Sequence, residues 1–207
     1  MNADAAADKR CAEVERRTRE THVRLALDLD GSGAGERSTG VGFFDHMLDA
    51  VARHGKIDLD VRVDGDLATG PHHTVEDTGL ALGRALDRAL GDRHGICRFG
   101  EARVAMDDAL AWCVIDISGR PYARLDAVFP RQQVADFEVE LCVEFLRAVA
   151  STAGLTVHAG VERGDNAHHM VEALFKAFAL ALRRACARDP REHGVPSTKG
   201  ALGEAQA

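Results

Sequence analysis

The chain is sparing with cysteine and has no long apolar run. Its five cysteines are an odd number, lie far apart and form no Cys-x-x-Cys pair, which argues against a disulfide framework and against a thiolate zinc site. The longest apolar runs, such as residues 177–182, fall far short of the roughly 20 residues that span a bilayer. The sequence therefore predicts neither a disulfide-rich scaffold nor a membrane-spanning helix.

The chain also lacks a basic stripe. Its formal net charge is −7, and its arginines and lysines are scattered, so no surface is predicted to attract a nucleic acid. Residues 1–10 are charged and Ala-rich, without the apolar stretch of a secretory signal. We therefore expect a soluble, cytoplasmic protein that binds neither nucleic acid nor a membrane.

What remains is the composition of an ordinary globular protein, with 45% hydrophobic and 29% charged residues. A length of 207 residues suits one large domain or two fused small ones. Alternating apolar and polar residues predict strands, and apolar residues at helical spacing predict helices. Strands are predicted at residues 23–29, 57–63, 101–106, 111–117, 121–128 and 154–161, and helices at 43–52, 74–90, 137–150 and 166–186.

One motif occurs twice at matching places. Residues 72–76 and 168–172 both read His-His-x-x-Glu, and each opens the second predicted helix of its half. His46 and Glu144 lie 26 and 24 residues before the first histidine of each motif, so Glu144 is the internal counterpart of His46. The pattern indicates a duplicated unit of about 100 residues.

The predicted fold class is therefore α+β, with two fused pseudo-repeat halves that each form a small mixed sheet with helices packed on one face. The first half spans residues 1–95 and the second spans residues 96–190, together forming one compact domain. Residues 191–207 form a polar tail punctuated by Pro196.

The repeated motif has the spacing of a metal site. On a helix, residues four apart share a face, so His72 with Glu76 chelates one cation. The adjacent His73 points about 100° away and serves a different site, and the same holds for the second motif. Mixed nitrogen and oxygen ligands favour manganese, iron or zinc over calcium. The candidate metal ligands are His46, His72, His73, Glu76, Glu144, His168, His169 and Glu172.

Two short segments are rich in donors for a phosphate monoester. Residues 118–120 (Ser-Gly-Arg) and 197–200 (Ser-Thr-Lys-Gly) combine hydroxyl, backbone and cationic donors. Each is weak by itself, since a Ser-Gly-Arg turn is more often only a turn.

Taken together, the ordered motifs resemble the imidazoleglycerol-phosphate dehydratase family. They cover almost the whole chain and lie at residues 16–21, 42–48, 65–67, 72–78, 95–100, 106–107, 116–121, 166–169, 175–177 and 196–200. The resemblance implies a hydro-lyase of histidine biosynthesis that takes a small phosphorylated imidazole substrate. It also implies two Mn²⁺ ions per active site and a homo-oligomer of 24 subunits, with active sites between neighbouring chains.

Carried over residue by residue, the resemblance divides the ligands between two ions. It gives one ion His46, His73, His168 and Glu172. It gives the other His72, Glu76 and His169.

The resemblance also assigns residues to the substrate. It implies that Glu20 contacts the substrate as the acid/base. The catalytic residues that it implies are Glu20 and the seven metal ligands named above. It also implies that the tail binds the phosphate of the substrate. The residues implied to hold the phosphate are Arg98, Arg120, Ser197 and Lys199, and the further implied substrate contacts are His54 and Lys176.

The implied reaction dehydrates imidazole glycerol phosphate to imidazole acetol phosphate through a metal-stabilised imidazolate. Three positions depart from the family pattern, one of them Ala105, which stands where a proline is usual. The other two concern the site: Glu144 stands where the family has a histidine that completes the second manganese site, and Gly70 stands where an acidic residue is usual. These departures keep an alternative open, a catalytically impaired or specialised paralogue that binds metal without this turnover. A hydrolase with a metal-activated water is a further alternative.

Overall fold

Two four-stranded sheets carry the two halves of the chain. The computed structural model describes residues 9–202. The first half contains β1 (Cys11–Arg17), β2 (Thr21–Asp28), β3 (Arg37–Ser38), α1 (Gly42–Gly55), β4 (Asp58–Gly65) and α2 (His72–Leu90). The second contains β5 (Phe99–Met106), β6 (Ala109–Asp116), β7 (Tyr122–Asp126), β8 (Gln133–Val134), β9 (Phe137–Glu138), α3 (Leu141–Ala153), β10 (Thr156–Arg163) and α4 (Ala167–Cys186).

The two sheets have the same topology. Their strand orders are β1-β2-β4-β3 and β5-β6-β10-β7. In each, the first three strands are antiparallel and the last is a short edge strand that pairs in parallel. The duplication predicted from the repeated motif is thus confirmed strand by strand, with the small β8–β9 hairpin added to the second half.

The helices of the two halves pack against each other. In the first half α2 covers β1 and β2, and in the second α4 covers β5 and β6. Across the halves α1 packs on α4 and α2 packs on α3. The core between them holds the fully buried rings of Phe44 and Phe145, whose centroids lie 5.5 Å apart. Because α1 lies on α4, side chains from the two halves meet at one end of this helix pair.

Two glycines let α2 approach α3 closely. A Cβ at Gly83 would lie 2.1 Å from the Thr152 hydroxyl and 2.5 Å from the Val149 carbonyl oxygen. A Cβ at Gly79 would lie 2.7 Å from that of Ala148. Glycine normally costs about 1 kcal/mol in a helix, but at these positions it avoids an overlap that the packed core would not absorb.

The prediction of a helix over residues 137–150 was wrong at its start. Residues 137 and 138 form β9, and α3 begins at Leu141. The hairpin that displaces the first helical turn carries Asp136, whose carboxylate accepts the backbone N–H groups of Gly42 at 2.6 Å and Phe43 at 3.0 Å. A hairpin of the second half therefore caps the first turn of α1.

Other boundaries moved by a few residues. The strand predicted at 121–128 is the shorter β7, and the strand predicted at 154–161 is β10, which begins two residues later because Gly154 ends α3 with a φ of 66°. The sequence pattern did not predict strand β1. In the part of the chain that the structure describes, no helix is long and apolar enough to cross a membrane. Of the N-terminal segment read as lacking a signal, residues 1–8 lie outside the described residues, as do residues 203–207 of the tail.

Candidate metal centre

Three candidate ligands converge where α1 packs on α4. His168 and Glu172 lie one turn apart on α4, as the spacing predicted. The helix is fixed at its start by the Asn166 side chain, which accepts the His168 backbone N–H at 2.9 Å. His46 reaches the same place from α1.

The geometry of these three side chains suits one metal ion. Their ligand atoms all lie within 4.8 Å of one another. Oε2 of Glu172 is 3.4 Å from Nε2 of His46 and 3.2 Å from Nε2 of His168. The ring of Phe43 meets the His168 ring edge-on at 5.0 Å between centroids, which limits rotation of that imidazole. Two imidazole nitrogens and a carboxylate oxygen fit manganese, iron or zinc.

The carboxylate of Glu172 is 9% exposed and keeps its charge. Burial acts to raise the pKa of Glu172, but the Lys176 ammonium, which donates to Oε1 at 2.7 Å, and the His46 imidazole outweigh it, so the pKa lies below its ordinary value. Lys176 thus holds one oxygen, and the other oxygen faces the two histidines. This arrangement prepares an ionised carboxylate for a cation.

The other predicted ligands contribute to no such cluster. Within residues 9–202, the group of His46, His168 and Glu172 is the single set of three or more potential ligands close enough to hold one ion. Of the remaining candidates, His73 contacts Glu20, with 3.2 Å between Nδ1 and Oε2, and His169 contacts Asp108, with 2.6 Å between Nδ1 and Oδ1. His72 lies beside His73, with 5.7 Å between ring centroids, and Glu76 is on the next turn of α2.

Glu144 lies on the first turn of α3, at the position that matches His46 in α1. Its Oε1 accepts a hydrogen bond from Nη1 of Arg147 at 3.0 Å, and its side chain is 30% exposed. The structure therefore places a carboxylate with its own cationic partner at this position.

Arg98, one of the predicted phosphate-binding residues, forms a salt bridge with Asp116 and a hydrogen bond to the tail. Nε and Nη2 of Arg98 donate to the two carboxylate oxygens of Asp116, at 2.8 and 3.2 Å. Nη1 of Arg98 donates to the carbonyl oxygen of Pro196 at 2.8 Å, which fastens the tail beside it. Ser197 is half-buried and Lys199 is exposed. The tail is thus held by an arginine 98 residues away in the sequence.

His54 and Lys176, two further predicted substrate contacts, lie near the metal centre. Arg120, another predicted contact, lies in the Ser-Gly-Arg turn. Burial lowers the pKa of His54, and the positive charge of Lys176 lowers it further, so His54 is neutral at neutral pH. The backbone N–H of the exposed Arg120 donates to Oγ of Ser118 at 3.1 Å, which shapes the Ser-Gly-Arg turn.

Sequence reasoning missed one polar residue at the site. Asp108 lies in the β5–β6 turn and hydrogen-bonds His169. A carboxylate in a two-residue turn gives no signal of its own, since acidic residues are common in turns. Only the packing of the turn against the start of α4 reveals it.

Comparisons with known proteins agree on one family. A family model described as imidazoleglycerol-phosphate dehydratase matches residues 39–182. A protein of that name from Symbiobacterium thermophilum is 55% identical over 97% of this chain and 97% of its own length. Another, from Halorhodospira halophila, is 57% identical over 94% of this chain and 99% of its own.

Solved structures are similar as well. The chain is similar to the crystal structure of imidazoleglycerol-phosphate dehydratase from Staphylococcus aureus, with a TM-score of 0.79, 36% identity, and coverage of 86% of this chain and 99% of that one. It is also similar to the enzyme from Pyrococcus furiosus in complex with (S)-C348, with a TM-score of 0.80, 38% identity, and coverage of 91% and 100%.

Proposed function

The chain belongs to the imidazoleglycerol-phosphate dehydratase family and is a hydro-lyase of histidine biosynthesis, and from this premise we propose that it is a manganese-dependent enzyme. Its substrate is imidazole glycerol phosphate and its product is imidazole acetol phosphate. The observation that carries the metal dependence is the convergence of His46, His168 and the ionised Glu172 on one point. We place the enzyme in the cytoplasm.

We propose two Mn²⁺ ions per active site. His46, His168 and Glu172, with His73, hold the first ion, and the second is held by His72, Glu76, His169 and Glu144. A charged, largely buried carboxylate beside two imidazoles suits a divalent cation that accepts both oxygen and nitrogen. The chemistry that the two ions supply when bound is Lewis-acid stabilisation of the substrate ring as an imidazolate.

Active sites shared between chains follow from the incomplete clusters. Within residues 9–202, His72, Glu76 and His169 join no group of three potential ligands, and His73 is not in the group around Glu172. A second copy of the chain brings in the missing ligands. We therefore propose a homo-oligomer, of 24 subunits as in the resembling family, whose neighbouring chains complete each site.

The chain's own residues orient the substrate. The reacting carbons lie between the imidazole ring and the phosphate, so gripping both ends fixes the carbons relative to the base. Arg98, Arg120, Ser197 and Lys199 hold the phosphate with charge-assisted bonds. His54 and Lys176 contact the substrate from the last turn of α1 and from α4.

Glu20 moves the proton. Its carboxylate is exposed in the β1–β2 turn, with Oε2 3.2 Å from Nδ1 of His73. Glu20 therefore lies beside a proposed metal-binding imidazole and is accessible to the substrate. The hydroxyl on the carbon attached to the ring takes up a proton and departs as water, while electrons of the ring form a double bond to that carbon. Glu20 then takes the proton from the next carbon, the electron pair of that C–H bond forms the carbon–carbon double bond of the enol, and the ring recovers its electrons. The resulting enol becomes the ketone.

A turnover assay tests this function. Metal-free protein is loaded with Mn²⁺ and given imidazole glycerol phosphate, and we expect imidazole acetol phosphate to appear only with the metal. Mg²⁺ and Zn²⁺ loading are the matched controls. Manganese binding without the ketone product would favour the specialised paralogue, a reading that draws on the Glu144–Arg147 pair. Release of phosphate would instead favour a metal-dependent hydrolase.

Glu144→His tests the second ion. A carboxylate in place of an imidazole adds a negative charge to a shell that already contains Glu76 and weakens the ion as a Lewis acid. Restoring the imidazole also frees the ligand from Arg147. We expect the second-site manganese affinity to rise by roughly tenfold, the lower end of the effect of shell changes, and turnover to rise with it. Manganese titration measures this, with the exposed Glu140→His as the control; an unchanged or lower affinity would remove Glu144 from the ligand set.

A further inference from the structure

The carboxylate of Asp108 has three partners at the start of α4. Oδ1 lies 2.6 Å from Nδ1 of His169. Oδ2 accepts the backbone N–H groups of Asp165 at 2.6 Å and Asn166 at 2.9 Å. These three hydrogen bonds fix the carboxylate between the β5–β6 turn and the start of α4.

These partners fix which nitrogen of His169 carries the proton. Backbone amides are obligatory donors, so they orient the carboxylate and leave Oδ1 for the imidazole. A carboxylate is only an acceptor, and its neighbour Nδ1 must therefore donate. In the neutral ring the lone pair is then on Nε2, the atom free to bind a metal.

The internal repeat contains the same contact. Asp108 lies in the turn between β5 and β6, and Glu20 lies in the corresponding turn between β1 and β2. Oε2 of Glu20 is 3.2 Å from Nδ1 of His73, as Oδ1 of Asp108 is 2.6 Å from Nδ1 of His169. In both halves a hairpin turn thus presents a carboxylate to the second histidine of the His-His-x-x-Glu motif, although the two acids differ in length.

We infer that Asp108 is a positioning residue that holds His169 in the tautomer and orientation required for metal binding through Nε2. This inference rests on the proposed function, in which His169 is a ligand of the second ion. It assigns the β5–β6 turn a part in the site, even though Asp108 itself touches neither ion nor substrate.

Asp108→Asn separates positioning from a merely structural role. The asparagine oxygen still accepts the amides of Asp165 and Asn166, so the start of α4 stays attached. Its NH₂ group faces Nδ1 of His169 and donates to it, which moves the imidazole proton to Nε2. The variant therefore keeps the loop and loses the metal-binding lone pair.

The experiment titrates Mn²⁺ into metal-free full-length protein and follows bound ion by electron paramagnetic resonance. We expect the parent to bind two ions per chain. In Asp108→Asn, one of the two should bind roughly 10- to 100-fold more weakly. The nitrogen couplings of the bound ion should also decrease, a signature that a change in fold stability alone does not produce.

Two further variants act as controls. Asp107→Asn removes the same charge from the same turn without changing the contact at Nδ1: the Asp107 carboxylate is 75% exposed and its Oδ2 lies 3.6 Å from Nε2 of His169, beyond hydrogen-bond distance, so this variant should weaken binding far less. Asp108→Glu keeps an acceptor, and the Glu20–His73 contact shows that the longer acid reaches its histidine from such a turn. This variant should recover most of the lost affinity. Thermal unfolding without metal checks that all variants fold.

The outcomes are distinguishable. If the parent binds no manganese, the proposed function fails and the inference falls with it. If the parent binds two ions and Asp108→Asn binds both equally well, the inference alone is overturned. Equal losses in Asp107→Asn and Asp108→Asn would replace positioning by a general effect of charge and would also overturn it.

Discussion

Glu172→Gln is expected to abolish manganese binding at the His46–His168 site and to lower turnover at least ~100-fold. Removing a residue that supports a metal ligand lowers affinity or activity ~10- to 100-fold, and removing a ligand itself should lower them more. Lys176 donates to Oε1 of Glu172 at 2.7 Å, so the amide oxygen of glutamine turns toward the ammonium. The NH₂ group then faces His46 and His168 and occupies their Nε2 lone pairs. The substitution thus removes one ligand and blocks two others.

Metal content and turnover, measured on the same preparations, check this prediction. The matched control is Glu162→Gln, which removes a carboxylate from β10 that is 40% exposed and pairs with Arg103. Without metal, Glu162→Gln should change the free energy of unfolding by about 1 kcal/mol or less, because an exposed ion pair contributes little to stability. A Glu172→Gln protein that retained two ions per chain would refute the assignment of this centre.

Arg98→Ala is expected to raise the KM for imidazole glycerol phosphate at least ~100-fold while manganese content stays intact. In the proposed function the guanidinium has two roles: a contact with the phosphate, and its hydrogen bond to the Pro196 carbonyl oxygen, which holds the tail with Lys199. Each charge-assisted contact is worth about 1.5–3 kcal/mol, and about 1.4 kcal/mol corresponds to tenfold in binding. Losing both contacts should therefore raise KM more than losing either one.

Two other variants separate these functions. Lys199→Ala removes one of the proposed phosphate contacts and leaves the tail in place, so about a tenfold rise in KM is expected. Asp116→Asn weakens the hold on Arg98 without removing the guanidinium. Arg98 has a φ of 68°, so alanine adds no new backbone strain there relative to arginine. Equal KM values for Arg98→Ala and Lys199→Ala would show that Arg98 acts only through the tail.

The repeating units of the fold were readable from the sequence because they depend on near neighbours. Period-two alternation predicted β2 and β4, and the repeated His-His-x-x-Glu motif predicted the duplication and the pairing of His168 with Glu172 on one face of α4. These features follow from the geometry of a strand or a helix, in which side chains two or four residues apart share a face.

What only the tertiary structure decided are contacts between residues far apart in the chain. His46 joins Glu172 across 126 residues, Asp108 reaches His169 across 61, and Asp136 caps α1 across 94. No local periodicity encodes these contacts, because they depend on how α1 lies on α4 and where two hairpin turns end. The sequence determined which candidate ligands the chain contains. The packing of the two halves determined which of these candidates meet, because helix packing sets the positions of side chains that local geometry leaves free.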